Sequence, residues 1–254
     1  MSGEEVLRVA TDSAAELFGA GLDAVFALGS LAHGGFAPLV SDVDVALVLD
    51  RVDATTPDRI AEVAALTRAR SVSPLAERLS VFWADWPGVR GGPGEHTRLP
   101  AVDRLDLLDS GRLRYGTDRR AGAVRPDGAT LVREGAEFAL DRLAATLPHD
   151  PEQLVGAGPR AVTKAVLFPV RFLYTLRTHR IGLNADAAGW YAEHGRHPAV
   201  VAGAMRWREA GIIDPAAVTG LLAAELAGLY AEFVEAYAAE LPDLARPLRA
   251  LLGP

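Results

Sequence analysis

Two aspartates separated by a single valine, Asp42 and Asp44, stand where an apolar run begins: Ser41-Asp42-Val43-Asp44 leads directly into Val45–Leu49. On a strand, residues two apart project from the same face. The two carboxylates are therefore expected side by side, with Val43, Val45 and Leu47 beneath them in the core. Adjacent carboxylates repel each other unless something positive lies between them, and a divalent metal is the usual answer. The blander alternative is that Asp42 caps a turn and Asp44 lies on a wet strand face.

Just upstream, the apolar run Ala24–Leu28 ends in Gly29-Ser30, and a stretch bearing Gly34, Gly35 and Pro38 follows. A turn with a hydroxyl and free amides suits an anion. Set beside two carboxylates on the next strand, it suits a polyphosphate with its metal. Gly29, Ser30 and Ser41 are the candidate nucleotide-binding residues of this stretch, and Asp42 and Asp44 the candidate ligands for Mg²⁺. The reaction that fits is attack by an acceptor hydroxyl on an α-phosphorus with pyrophosphate as leaving group. The chain contains neither GxxxxGK[ST] nor GxGxxG, so a P-loop or a dinucleotide fold is not expected.

The elements that must position these residues read as two blocks. Residues 4–19 form an amphipathic pattern that ends at Gly19 and Gly21. Strands are expected at about 23–28, at the Asp pair and its apolar run, at 79–83, and as a short edge strand at 113–116. Short helices are expected at 30–36 and 58–69, the second opened by Pro57. Residues 84–101, with three prolines and four glycines, read as a loop. Val102–Leu108 is an apolar-bearing segment that includes Asp103 and Asp106. After the polar stretch 117–129 the pattern is helical, at 131–147, 160–179, 184–195, 198–210 and 214–240, with Pro169 expected to kink the second of these. The fold class is α+β: a small mixed-sheet domain over about 1–120, then an all-helical bundle domain over about 125–254.

Composition limits the partners. The 254 residues carry 50% apolar and 23% charged side chains and a net charge of −7, with a pI near 5.4. That balance disfavours an extended nucleic-acid partner. The chain has no cysteine, which excludes disulfides and makes a cytoplasmic setting the default. The start is not a signal peptide in pattern, and no apolar stretch reaches about 18 residues without a charge, so no membrane association is expected.

The combination Gly29-Ser30, Gly34/Gly35 and Ser41-Asp42-Val43-Asp44 resembles the GS…[ST]DxD signature of the nucleotidyltransferase superfamily that includes polymerase-beta-like enzymes. The second half is similar to the C-terminal domain of streptomycin/spectinomycin-type aminoglycoside adenylyltransferases. Lys164, Leu167, Arg171, Tyr174, Thr175 and Thr178 match one run of that family, and Ala187, Ala188 and Trp190 match its Ala-Ala-x-Trp helix. The resemblance implies a metal-dependent transferase that moves AMP from ATP to a hydroxyl of a small molecule, an aminoglycoside being the natural guess and antibiotic resistance the setting. It implies a nucleotide held between the two domains in a monomer or weak homodimer.

It also implies a third carboxylate on a later strand, as metal ligand or general base. In Glu77-Arg78-Leu79-Ser80-Val81-Phe82-Trp83 the central strand position is Ser80, which is not acidic. Glu77 is the candidate, with Asp85, or no third acid at all, as alternatives. The family's Lys-Asp before the Ala-Ala-x-Trp helix is replaced by Asn184-Ala185, so Lys164, the only lysine in the chain, and Arg171 are the candidates to neutralise the triphosphate. Both equally suit a solvated helix face or packing. Competing functions are transfer to another small-molecule or protein acceptor, and a nucleotide-binding regulatory or antitoxin-type module with little turnover.

Overall fold

The computed structural model describes residues 3–143 and 150–252. The chain divides into two compact units, Met1–Pro126 and Asp127–Pro254. The first is a small mixed-sheet α/β unit and the second is helical, so the chain has the α+β class that its pattern predicts.

The first unit is built on four strands, β1 (Leu22–Leu28), β2 (Val43–Leu49), β3 (Leu79–Asp85) and β4 (Arg112–Gly116), in the order β3-β2-β1-β4. β1 runs antiparallel to both β2 and β4, whereas β2 and β3 are parallel. A parallel pair needs a crossover, and the long helix over Thr56–Arg70, between β2 and β3, supplies it. The helices of this unit are α1 (Gly3–Phe18), α2 (Gly29–His33), α3 (Thr56–Arg70), α4 (Trp86–Gly91) and α5 (Ala101–Asp109).

Both faces of the sheet are covered, which is why β1 and β2 read as continuous apolar runs and not as alternating ones. On one face Val25, Ala27, Val43, Val45 and Leu47 pack with Val6 and Leu7 of α1 and with Ile60 and Val63 of α3. On the other, Ala24, Phe26, Leu28, Ala46, Val48 and Phe82 pack with Trp86 and Val89 of α4 and Leu107 of α5. The strand period of two therefore puts Asp44 on the α4/α5 side, in line with Ala46 and Val48.

Residues 84–101, expected as a loop, contain α4. The helix starts because Asp85 accepts from the Gly88 amide at 2.7 Å and Pro87 occupies its first turn. The segment then folds back so that Trp83 and Arg98 exchange two backbone hydrogen bonds of 2.9 Å. The glycines and prolines that suggest a loop are the punctuation around a short capped helix.

The helical unit contains α6 (Gly128–Phe138), α7 (Pro151–Gly156), α8 (Pro159–Thr178), α9 (Asn184–His194), α10 (Pro198–Ala210), α11 (Pro215–Glu240) and α12 (Ala245–Ala250). After α6 the chain takes a π turn over Ala139–Leu143; the end of the helix expected to reach 147 lies outside the described residues. α7 and α12 are short helices that the periodicity does not predict. α11 is long and apolar enough to cross a membrane by length and composition alone. Here it serves as a core helix: Leu222, Leu229, Phe233 and Tyr237 are buried against its neighbours, and its Glu232 accepts from Tyr191 at 2.8 Å.

α8 runs through Pro169 without ending. Proline has no N–H, so the carbonyl four residues earlier, that of Ala165, loses its helical donor. Tyr230 of α11 supplies the replacement, its hydroxyl donating to the Ala165 carbonyl at 2.9 Å. Burial pushes that phenol well above the ordinary tyrosine range, which keeps it protonated and able to donate. Tyr230→Phe is expected to leave the carbonyl unsatisfied and to cost about 1–3 kcal/mol in urea unfolding. The same change in a Pro169→Ala background should cost less, because the helix then supplies its own N–H.

Candidate functional site

The antiparallel register pairs Leu28 with Asp44, so the residue after Leu28, Gly29, falls next to the second aspartate. Gly29 turns the chain from β1 into α2 with φ +60°, a left-handed conformation that favours glycine. The absence of a side chain is also used: a β-carbon at this position would overlap Oδ2 of Asp44. The Asp44 carboxylate is thus seated against the α-carbon of Gly29. Asp42 lies one residue before the start of β2, and both aspartates are half-buried.

The loop that delivers Asp42 is tied to itself. The amides of Val40 and Ser41 donate to the Ala37 carbonyl at 3.0 and 2.8 Å, and the Ala37 amide donates to the Ser41 hydroxyl at 3.0 Å. Arg78 holds it from outside, its guanidinium donating to the Pro38 carbonyl at 3.0 Å and the Ser41 carbonyl at 3.5 Å. Ser41, a candidate nucleotide contact by sequence, has its hydroxyl engaged in folding this loop. The glycines of the loop, Gly34 and Gly35, have φ of +91° and +78° with open space around them.

The first amide of the turn is already engaged. The Gly29 amide donates to Oδ2 of Asp106 at 2.6 Å. Asp106 belongs to α5, is 7% exposed, and takes the Ser110 hydroxyl on its other oxygen at 2.6 Å. This buried carboxylate beside the turn is one that the sequence reading leaves unassigned. Its only signal there is an acid among the apolar residues of Val102–Leu108.

The parallel register sets Ser80 directly beside Asp44, at the strand position that the resemblance would fill with a carboxylate. Glu77 lies before the strand, exposed, in the 3₁₀ turn Pro74–Arg78. Asp85 pairs with Leu49 at the far end of the strand, five residues or about 17 Å from Ser80, and is occupied as the α4 cap. Among the described residues no group of three or more histidine or acidic side chains is placed to hold a metal ion, so Asp42, Asp44 and Glu77 do not form one. Two carboxylates nevertheless fit Mg²⁺, which is commonly held by one or two carboxylates with waters and substrate phosphates completing its shell. The oxygen donors of Asp42 and Asp44, half-buried at the edge of a glycine turn, suit an ion that arrives with a nucleotide.

In the helical unit, Arg171 and the residues that follow organise a turn. The Arg171 Nε donates to the Gly182 carbonyl at 2.5 Å, the Thr175 hydroxyl to the Arg180 carbonyl at 2.9 Å, and the Thr178 hydroxyl to the Tyr174 carbonyl at 2.8 Å. His179, at φ +55°, ends α8 between them. Trp190 packs edge-on to Tyr174 and stacks on His194. Lys164 is half-buried on α8, with its ammonium 5.8 Å from the ring centre of Phe168.

No protein-family model and no curated protein matches this sequence. Among solved structures, the chain is similar to a spectinomycin adenyltransferase from Enterococcus faecialis, determined with ATP and spectinomycin. The TM-score is 0.61 at 12% identity, over 86% of this chain and 98% of that one.

Gly29→Ala tests the local geometry, since it adds left-handed strain and a clash with Asp44. It is expected to destabilise the protein by at least about 1–2 kcal/mol, read by urea unfolding. Gly34→Ala, whose β-carbon meets nothing, should bear backbone strain without a clash. In fold, the chain resembles that spectinomycin adenyltransferase.

Proposed function

We propose that the protein is a Mg²⁺-dependent nucleotidyltransferase that moves AMP from ATP to a hydroxyl of a small molecule, with an aminoglycoside as the acceptor class. The observation that carries this is the Asp42/Asp44 pair at the start of β2, with Asp44 seated against the Gly29–Ser30 turn, in a chain with the fold of an adenyltransferase. The acidic net charge of −7 favours a polycationic acceptor.

Asp42 and Asp44 would hold the metal, and Ser30 would bind the phosphates beside it. Bound there, Mg²⁺ supplies charge neutralisation for the triphosphate and for the leaving pyrophosphate. The acceptor oxygen bonds to the α-phosphorus, the bond from that phosphorus to the pyrophosphate oxygen breaks, and the hydroxyl proton passes to a base. We assign the base role to Glu77: it is exposed, precedes the strand that lies beside Asp44, and does not join the two aspartates in a trio. Lys164 and Arg171 are proposed as contacts to the nucleotide from the helical unit, Arg171 doing so in addition to holding the Gly182 turn.

A second reading, a nucleotide-binding module with little turnover, is favoured by one observation: Ser80, not an acid, pairs with Asp44. Incubation with ATP, Mg²⁺ and a panel of aminoglycosides, with pyrophosphate release as readout, separates the two. Release on at least one acceptor supports transfer, whereas calorimetric ATP binding without release across the panel supports the module.

Asp42→Asn and Asp44→Asn should each leave the melting transition intact and abolish pyrophosphate release; full activity in either would sink the proposal. Glu77→Gln should lower kcat by about 10²–10⁴ while leaving ATP affinity unchanged, as expected on removal of a general base. An unchanged kcat would move the base elsewhere.

A further inference from the structure

Among the described residues Asp106 is the only carboxylate in the buried class, and the transfer chemistry above does not use it. A buried carboxylate is costly unless its oxygens are hydrogen-bonded. Here each oxygen has a donor, the Gly29 amide on one and the Ser110 hydroxyl on the other, both at 2.6 Å. The Ser110 contact is local, four residues along α5 and its C-terminal turn. The Gly29 contact spans 77 residues and ties α5 to the first residue of the turn that carries Ser30.

Gly29 is gripped from two directions by two different acids. Asp106 takes its N–H, and Asp44 presses on its α-carbon. Position 29 is thereby the shared wall between them: any swing of the Gly29 peptide alters the surface on which Asp44 rests. We propose that Asp106 is a positioning residue for the Asp42/Asp44 cation site, acting through the Gly29 peptide to set the orientation in which Asp44 meets a divalent ion. The inference rests on the reading of Asp42 and Asp44 as metal ligands. It also assigns the phosphate-binding work of the turn to Ser30 and not to the Gly29 amide, because a carboxylate already holds that amide and a second anion there would be repelled.

Hydrogen-bonded partners behind a metal ligand commonly change metal affinity by about 10–100-fold when removed. The test uses the full chain with Mn²⁺ as probe, titrated in the presence of a non-hydrolysable ATP analogue and followed by water proton relaxation. Melting curves without ligand monitor the fold. Asp106→Ala is expected to weaken Mn²⁺ binding by about 10-fold or more. Asp106→Asn, whose side-chain oxygen still accepts from Gly29, should restore binding close to that of the wild type, which a requirement for the charge alone would not allow. Ser110→Ala frees one end of the carboxylate and should weaken binding in the same direction by less; it stands in if Asp106→Ala fails to fold.

A folded Asp106→Ala that binds Mn²⁺ as the wild type does overturns the proposal, as does an Asp106→Asn that loses binding as fully as alanine. If only Ser110→Ala can be read, unchanged binding overturns it too. Asp44→Asn separates the two levels. If it abolishes Mn²⁺ binding while Asp106→Ala does not, only the positioning role fails. If it leaves binding intact, the metal-site reading itself is wrong and the positioning role falls with it.

Discussion

The antiparallel pairing of β1 with β2 is the constraint on which the candidate site depends. It sets Leu28 opposite Asp44, so the end of one strand and the start of the other share an edge of the sheet. A slip of one residue would turn Asp44 to the opposite face, among Val6, Leu7 and Ile60, where no charge is tolerated. The apolar content of both strands forbids that slip, because Val43, Val45 and Leu47 fit one covered face and Ala46 and Val48 the other. Core packing and site geometry are therefore one specification: the residues that bury the sheet also aim the carboxylate.

The rest of the first unit serves that edge. β2, like β1, is central and paired on both sides. The loop before it is closed by Ser41 and clasped by Arg78, so Asp42 is delivered by a folded segment. α5 closes the same face and brings in Asp106. Helices on both faces are thus required for more than burial, since the α5 side supplies the hydrogen bond that fixes the first residue of the turn.

Much of this was legible from residue types. Apolar runs bounded by glycine marked the strands, and period-two reasoning put Val43, Val45 and Leu47 beneath the Asp pair. Ser80 was recognised as the non-acidic centre of the third strand, and the register places it beside Asp44. Local competition hid other elements: α4 sits in a stretch dense in glycine and proline, and the telling sign was the Asp85 cap followed by Pro87. Long-range pairing hid the remainder. Nothing in Val102–Leu108 says that Asp106 seeks an amide 77 residues away, nor does the spacing of Arg171, Thr175 and Thr178 reveal that they fasten the turn after α8. A matched motif in the helical half is therefore in part a record of how a chain reverses direction.

Pro169 and Tyr230 carry a consequence of another kind. A proline that strips a helix of one donor, and a distant hydroxyl that replaces it, make the two positions energetically dependent on each other. Without the proline, the Ala165 carbonyl has a helical donor of its own and does not need the hydroxyl. With both present, loss of the tyrosine alone leaves a buried acceptor unsatisfied, whereas loss of the proline alone does not. The pair thereby turns a local defect of α8 into a directional tie to α11.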